Sequence, residues 1–162
     1  MDIDLEKQPP IMPQTSEPAT IAPAAHADHH RHVFVYGTLR RGGVNDITRL
    51  VPTPLFIGDA QIQGVMHHLG AYPGVRLQPG GWVRGEVYAI SAELERRLDE
   101  IEMILPEPSG EYLKRDLRVQ VGAAHDTGGP RQLRCIVYEI SPAHAAGKPV
   151  IVNGDWIAGK DG

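Results

Sequence analysis

The sequence is poor in cysteine, in basic residues and in long apolar runs, the features that mark disulfide-bonded, nucleic-acid-binding and membrane proteins. Its single cysteine, Cys135, excludes an intrachain disulfide and stands in an apolar stretch, where we expect a small core residue. Basic side chains are a minority, with 16 Lys and Arg against 20 Asp and Glu, and no strongly basic face is visible, so we expect no nucleic-acid partner. No apolar run is long enough to span a bilayer and no secretory signal stands near the N-terminus, so we expect no membrane partner and a cytoplasmic location.

The first thirty or so residues differ in composition from the rest. Residues 1–31 contain five prolines among polar residues and alanines without periodic apolar positions, which predicts a disordered leader followed by a single domain at 32–162. The leader ends in a histidine cluster, His26, His29, His30 and His32, which is spaced closely enough to capture a divalent cation. Because specific metal sites take their ligands from a rigid frame, we predict no metal site here. The sequence carries no indication of oligomeric state.

From residue 33 onward the pattern is mostly that of strands. We predict strands at 33–36, 82–90, 112–121 and 132–140, two short strands or one bent strand within 56–69, turns at 71–74 and around 127–130, a short helix at 45–50, and a main helix from Ala92 to about Leu105. Ser91 is the expected N-cap of that helix, and Pro106 and Pro108 are expected to end it. The last two strands are expected to pair in antiparallel fashion, and Trp156 to pin the C-terminal segment.

The junction after the first strand has the character of a ligand site. Where a buried strand stops at Tyr36 and Gly37, the next backbone N–H groups lose their partners, and a glycine lets a ligand approach the chain without a Cβ in the way. Amides in that state bind carboxylates. The alternative is an ordinary strand end with a turn glycine.

The main helix carries the second candidate. Its apolar stripe is bordered by Glu102 and Glu95, whereas Asp99 and Glu100 are expected to point further away. A partly desolvated carboxylate has a raised pKa, which suits proton transfer, although a surface glutamate beside a core helix is the alternative interpretation. Tyr112 begins the next strand on the face opposite Val119 and Val121, where it either reaches a pocket or covers the strand edge.

Taken in order, these segments resemble the gamma-glutamylcyclotransferase-like superfamily, including its gamma-glutamylamine cyclotransferase and avirulence-induced-gene-like branches. The segments that carry the resemblance are Val-Tyr-Gly-Thr-Leu-Arg-Arg-Gly at 35–42 with Asn45, Phe-Ile-Gly-Asp-Ala at 56–60, Tyr-Pro-Gly at 72–74, Gly-Glu-Val-Tyr at 85–88, Leu-Asp-Glu-Ile-Glu at 98–102, Tyr112, and Gly-Asp-Trp at 154–156. Several ordered motifs over about 120 residues are far more specific than any one of them.

The resemblance implies an α+β fold, a compact mixed β-barrel flanked by a few helices, and a small-molecule γ-glutamyl substrate. It implies that Glu102 is the catalytic acid and base, that Tyr36, Gly37, Thr38, Leu39 and Tyr112 bind the substrate, and that 5-oxoproline is released without a cofactor. The leaving group stays open among an amino acid, an amine and an isopeptide. The alternative function is a non-catalytic module of the same fold that binds a small carboxylate.

Two positions depart from the family pattern. Met103 stands where the family often has glycine after the glutamate, and the basic residue expected after Tyr112 is either Lys114 or Arg115.

Overall fold

Five strands of the protein form a closed barrel. The computed structural model describes residues 29, 31–104, 107, 109–122 and 131–157. Within them the strands are β1 (Arg31–Val35), β2 (Leu55–Gln63), β3 (Val65–His68), β4 (Pro73–Arg76), β5 (Trp82–Ile90), β6 (Tyr112–Val121) and β7 (Arg131–Ile140), and the helices are α1 (Ala92–Ile101), α2 (Pro142–Ala145) and a 3-10 turn (Ile47–Arg49). The predicted leader lies outside the described residues except for His29 and Arg31, and Arg31 already belongs to β1.

The barrel closes through one parallel contact. Its strand order is β1-β5-β2-β6-β7, and β7 returns to β1 in parallel, with His32 opposite Cys135 and Val33 opposite Ile136. The other barrel pairs are antiparallel, including the predicted pair β6 and β7. The expected mixed barrel with flanking helices is therefore confirmed.

Two apolar clusters pack against the barrel wall, one filling the interior and the other lying between α1 and part of the outer face. The interior cluster includes Phe34, Ala60, Val83, Val119 and Val137, one from each barrel strand, and also holds the buried Cys135 and Trp156. The outer cluster joins Leu94 and Leu98 of α1 to Val33, Val35, Tyr88, Ile90, Tyr112, Ile136, Tyr138 and Ile140. Tyr112 and Val119 thus lie on opposite faces of β6, as predicted.

The segment between β1 and β5 differs in part from the sequence prediction. Residues 56–69 form two strands, β2 and β3, and β2 is interrupted by a register shift between Phe56 and Gly58. The turn predicted at 71–74 is wrong for its second half, because Pro73 and Gly74 begin β4, which pairs with β3. A Cβ on Gly74 would lie 2.6 Å from the Cβ of Ile140, so this glycine serves close packing of β4 on β7 rather than a turn.

The main helix is shorter than predicted. Ser91 caps it through a bond from the Leu94 N–H to the serine hydroxyl, but α1 ends at Ile101 rather than near Leu105. The residues expected to end it, Pro106 and Pro108, lie outside the described residues, as does the turn around 127–130. The predicted helix at 45–50 is a single 3-10 turn whose N-cap is Asp46.

Among the described residues, none of the helices has the length and apolarity needed to cross a membrane. The same residues contain no group of three or more His, Cys, Asp or Glu side chains placed to hold a metal ion. His26 and His30 of the histidine cluster lie outside the described residues.

Candidate active site

A cavity of about 310 Å³ opens where the end of β1 meets the end of α1. Its walls come from five separate parts of the chain, at 34–39 with 44–45, at 71–73, at 101–103, at 111–112 and at 138. All six residues singled out from the sequence line it, namely Tyr36, Gly37, Thr38, Leu39, Glu102 and Tyr112. The fold therefore brings the two sequence candidates, the strand-end loop and the glutamate, into one site.

The loop at 36–46 contributes to the cavity lining three residues whose backbone N–H groups have no partner among the described residues. Within the described part of the chain, the N–H groups of Gly37, Thr38 and Leu39 donate no hydrogen bond. The carbonyl groups of the same three residues are engaged, because they accept from the N–H groups of Arg40, Asn45 and Ile47 at 2.9–3.0 Å. The loop is thus fixed by its acceptors while its donors remain available to an anionic ligand.

A partly buried ion-pair cluster holds this loop against the barrel. The guanidinium of Arg40 donates to Glu86 of β5 at 3.1 Å and to Asp155 near the C-terminus at 2.9 Å. Glu86 is itself buried and also accepts from the Arg41 N–H at 3.0 Å and from the Tyr88 hydroxyl at 2.9 Å. Nothing in the local sequence pattern indicates this cluster, because its members come from segments far apart in the chain.

The structure gives Gly37 a different role from the one inferred from the sequence. A Cβ at this position would lie 2.7 Å from Cγ and 2.9 Å from Cδ of Pro73, closer than real Cβ atoms approach. The ring of Pro73, rather than a ligand, therefore occupies the space that the missing side chain leaves.

Glu102 occupies the cap that ends α1. The Met103 N–H donates to the Glu100 carbonyl at 3.1 Å and the Ile104 N–H to the Asp99 carbonyl at 2.7 Å, the two bonds of a Schellman motif with Glu102 as the C-cap. Met103 follows in the left-handed region with φ of 61°. The catalytic candidate thus lies at the point where the chain leaves the helix, not within a longer helix as predicted.

The carboxyl group of Glu102 is electrostatically unusual. It makes no hydrogen bond or ion pair with the other described residues. Burial raises its pKa from 4.5 to about 7, and the nearby negative charge of Glu111 adds to the shift. A carboxyl group with that pKa can both accept and donate a proton near neutrality.

Hydroxyl groups of the cavity tyrosines are tied to the protein. Tyr36 donates to the Tyr138 carbonyl at 2.6 Å, and its oxygen accepts from the Val75 N–H at 3.3 Å. Tyr112 donates to the Pro73 carbonyl at 2.9 Å. Both tyrosines therefore line the cavity, and their hydroxyl groups anchor β4. Tyr112 is buried, so the pocket alternative describes it better than the strand-edge one.

Sequence reasoning missed Tyr72 and Glu111 as lining residues. The Tyr72 hydroxyl donates to the Glu111 carboxylate at 2.5 Å, and that bond is the main reason why the pKa of Tyr72 rises to about 12. Tyr72 belongs to the Tyr-Pro-Gly motif, which was an available signal, whereas nothing in the local pattern distinguished Glu111 from a surface acid.

The prediction for Asp99 was wrong. It is buried, accepts from the Tyr138 hydroxyl at 2.7 Å, and pairs with the Lys114 ammonium at 2.8 Å. The Lys114 ammonium also donates to the Glu95 carboxylate at 2.6 Å. Glu95 of α1 is therefore an ion-pair partner of Lys114 and does not line the cavity.

The basic residues after Tyr112 do not line the cavity. Lys114 serves the two acids of α1, and Arg115 donates to Glu139 at 3.0 Å. None of the described residues that line the cavity is Lys or Arg.

Comparison with known proteins adds a family match. Residues 33–158 match the family model described as gamma-glutamyl cyclotransferase, AIG2-like. A human gamma-glutamylaminecyclotransferase is 32% identical over 128 residues, which cover 65% of this chain and 76% of the human protein. An Arabidopsis thaliana protein named "Putative gamma-glutamylcyclotransferase" is 36% identical over 98 residues, which cover 54% of this chain and 50% of that protein, so the chain spans half of this plant relative.

Solved structures show the same fold. A mouse AIG2-like protein superposes with a TM-score of 0.59 at 28% identity, covering 75% of this chain and 86% of the mouse chain. An uncharacterized protein from Pyrococcus horikoshii gives a TM-score of 0.54 at 24% identity, covering 80% of this chain and 92% of that chain.

Proposed function

The chain belongs to the gamma-glutamyl cyclotransferase, AIG2-like family, and from that premise we propose that it converts a γ-glutamyl amide into 5-oxoproline and a free amine. The observation that carries the proposal is one cavity that holds both an unpartnered carboxyl group with a pKa of about 7 and three backbone N–H groups without acceptors among the described residues. The first group suits proton transfer and the second suits a carboxylate.

The loop at 36–46 would orient the substrate. Its α-carboxylate would accept from the N–H groups of Gly37, Thr38 and Leu39, which places the α-amine close to the γ-carbonyl of the same molecule. Ring closure is intramolecular, so much of the entropic cost of bringing the reacting atoms together is already met by the substrate. The protein then has to fix one conformer, and the clamp of Arg40 on Glu86 keeps the loop in place for it.

Glu102 would move the proton. The α-amine nitrogen attacks the γ-carbonyl carbon, and the Glu102 carboxylate takes a proton from that nitrogen. The same carboxyl group then donates a proton to the leaving nitrogen, and the bond between that nitrogen and the γ-carbon breaks. One proton is taken and one returned, so Glu102 ends the cycle as it began.

The charges around the cavity favour a leaving group without a carboxylate. Glu102 and Glu111 line the cavity, whereas Lys and Arg are absent from its described lining. The carboxylate of a leaving amino acid would find no cation there and would face two acids, whereas an amine carries no such charge. We therefore propose γ-glutamyl amines, whose leaving group has no carboxylate, as the preferred substrates over γ-glutamyl α-amino acids.

A substrate panel tests this function. Purified protein is incubated with γ-glutamyl amines, a γ-glutamyl isopeptide and γ-glutamyl amino acids, and both 5-oxoproline and the released amine are quantified. We expect equal amounts of the two products, with the amines turned over faster than the amino acids. Glu102→Gln should reduce kcat by about 10²- to 10⁴-fold, because it retains the shape of the side chain and loses the proton acceptor.

Glu100→Gln is the matched control, since it makes the same chemical change on an exposed residue of α1 outside the cavity lining. It should turn over substrate at the rate of the unmodified protein. Binding of the panel compounds without any release of 5-oxoproline would instead support a non-catalytic carboxylate-binding module.

A further inference from the structure

Met103 holds a position for which a side chain is costly. In a Schellman motif the residue after the C-cap takes the left-handed conformation, and glycine is the usual occupant because any Cβ is disfavoured there. Met103 has φ of 61° and is the only residue other than glycine with positive φ in the described part of the chain. A conformation that costs free energy persists where the side chain it presents has a use.

The side chain of Met103 lies at the mouth of the cavity. It lines the cavity and is nevertheless 53% exposed, and the same holds for Val44, which is 72% exposed. These two large apolar side chains come from separate segments of the chain, Val44 from the loop at 36–46 and Met103 from the end of α1. Ile101, partly buried, continues this apolar lining inward from Met103.

We propose that Met103, with Val44, is a specificity-determining contact for an apolar chain on the leaving amine. This inference rests on the proposed function, because it assigns the part of the substrate that the γ-glutamyl group leaves open. The γ-glutamyl half would occupy the amides of 37–39 and the proton-transfer position at Glu102. The carbon chain next to the leaving nitrogen would then pass out between two apolar side chains, and a flexible thioether adapts well to such a chain.

The test compares two substrates that differ only in that chain, γ-glutamyl methylamide and γ-glutamyl butylamide. In the unmodified protein we expect kcat/KM for the butylamide to exceed that for the methylamide roughly tenfold, since each of the three extra methylenes is only partly buried at this exposed mouth and is worth about twofold. Met103→Ala and Met103→Gly should each lower that ratio about fivefold. Met103→Leu, which retains an apolar side chain of similar size, should keep most of it.

Thermal unfolding of the same variants checks the backbone argument. Because glycine adopts the left-handed conformation freely, Met103→Gly should melt at a higher temperature than Met103→Ala. Val152→Ala removes methyl groups from a residue that is 91% exposed and outside the cavity lining, so it is the control that should leave the substrate ratio unchanged.

The outcomes separate this inference from the proposed function. Turnover of both compounds with the same ratio in Met103→Ala as in the unmodified protein would overturn the role of Met103 and leave cyclotransfer standing. Absence of 5-oxoproline from both compounds would overturn the function. Calorimetric binding of the two compounds would then decide on Met103, and equal affinities, or no binding of either, would overturn its role too.

Discussion

At the scale of single residues, Glu102 is where function and stability oppose each other. Its carboxyl group is largely removed from water and has no hydrogen bond or ion pair among the described residues, which is why its pKa rises to about 7. Ionising such a group costs more free energy in the folded protein, where it is desolvated, than in the unfolded chain, where water solvates it. We therefore expect the residue that suits the chemistry to destabilise the fold.

This cost has a definite pH dependence. The folded-state pKa lies above the ordinary value of 4.5, so the cost is absent below about pH 4.5, grows as the pH rises, and is complete above pH 7. Glu102→Gln removes it. The variant should therefore gain about 1–3 kcal/mol in the free energy of unfolding at pH 8 relative to pH 4.5, measured against the unmodified protein by urea denaturation.

Glu100→Gln again serves as the control and should show no gain that depends on pH. A difference between Glu102→Gln and the unmodified protein that stays constant from pH 4.5 to pH 8 would mean that the carboxyl group is not desolvated in solution.

Single residues also show where sequence reasoning works and where it fails. Glu102 was identified because a family motif named it, and helix geometry added only that it borders the apolar stripe. The same geometry placed Asp99 further from the apolar stripe than Glu102 and Glu95, although Asp99 is buried and bonds to Tyr138 and Lys114. An acid on the polar side of one helix becomes buried when two paired strands bring a cation and a hydroxyl group over it, here Lys114 of β6 and Tyr138 of β7. That strand pairing is not visible from the helix alone.

At the scale of elements, the loop at 36–46 depends on a clamp outside the cavity. Arg40→Met should raise KM for the γ-glutamyl substrate at least tenfold, because the amides of 37–39 lose their fixed position. The variant should also lose about 2–4 kcal/mol in the free energy of unfolding, since buried Glu86 loses its charged partner. Steady-state kinetics and denaturant unfolding measure the two effects.

Arg49→Ala is the control for this clamp. Arg49 is 73% exposed and approaches Asp46 only to 3.9 Å, so its removal should change stability by less than about 0.5 kcal/mol. The double variant Arg40→Met/Glu86→Gln should recover part of the stability lost in Arg40→Met. An unchanged KM in Arg40→Met would show that the loop keeps its position without the clamp.

The end of the main helix was less predictable than the ends of the strands. Strand β5 was predicted with its observed bounds, Trp82–Ile90, because alternation identifies strands well. Helix α1 was predicted to run to the prolines, but it ends at Ile101 in a Schellman motif. The sequence rule for that motif looks for glycine after the cap, and here Met103 takes the place of the glycine, so the usual signal was missing.

At the scale of the whole molecule, the cavity exists because the barrel closes. The parallel contact of β1 with β7 joins His32 and Val33 to Cys135 and Ile136, more than a hundred residues later, and it brings Tyr138 to the end of β1. Periodicity identified the strands and predicted the pairing of β6 with β7, whereas the barrel was implied only by the resemblance to a family and the strand order was not predicted. Pairings this distant in sequence leave no local pattern, because each strand carries the same alternation whatever its neighbour.

The most direct test of the account is the pH dependence of kcat/KM for 5-oxoproline release from a γ-glutamyl amine. We predict that kcat/KM falls about tenfold per pH unit below an inflection near pH 7, where the Glu102 carboxylate becomes protonated and can no longer accept the proton of the attacking amine. In Glu102→Gln the remaining activity should be about 10²- to 10⁴-fold lower and should lack that inflection. Turnover by Glu102→Gln at the rate and with the pH profile of the unmodified protein would contradict the assignment of Glu102 as the proton-transferring group.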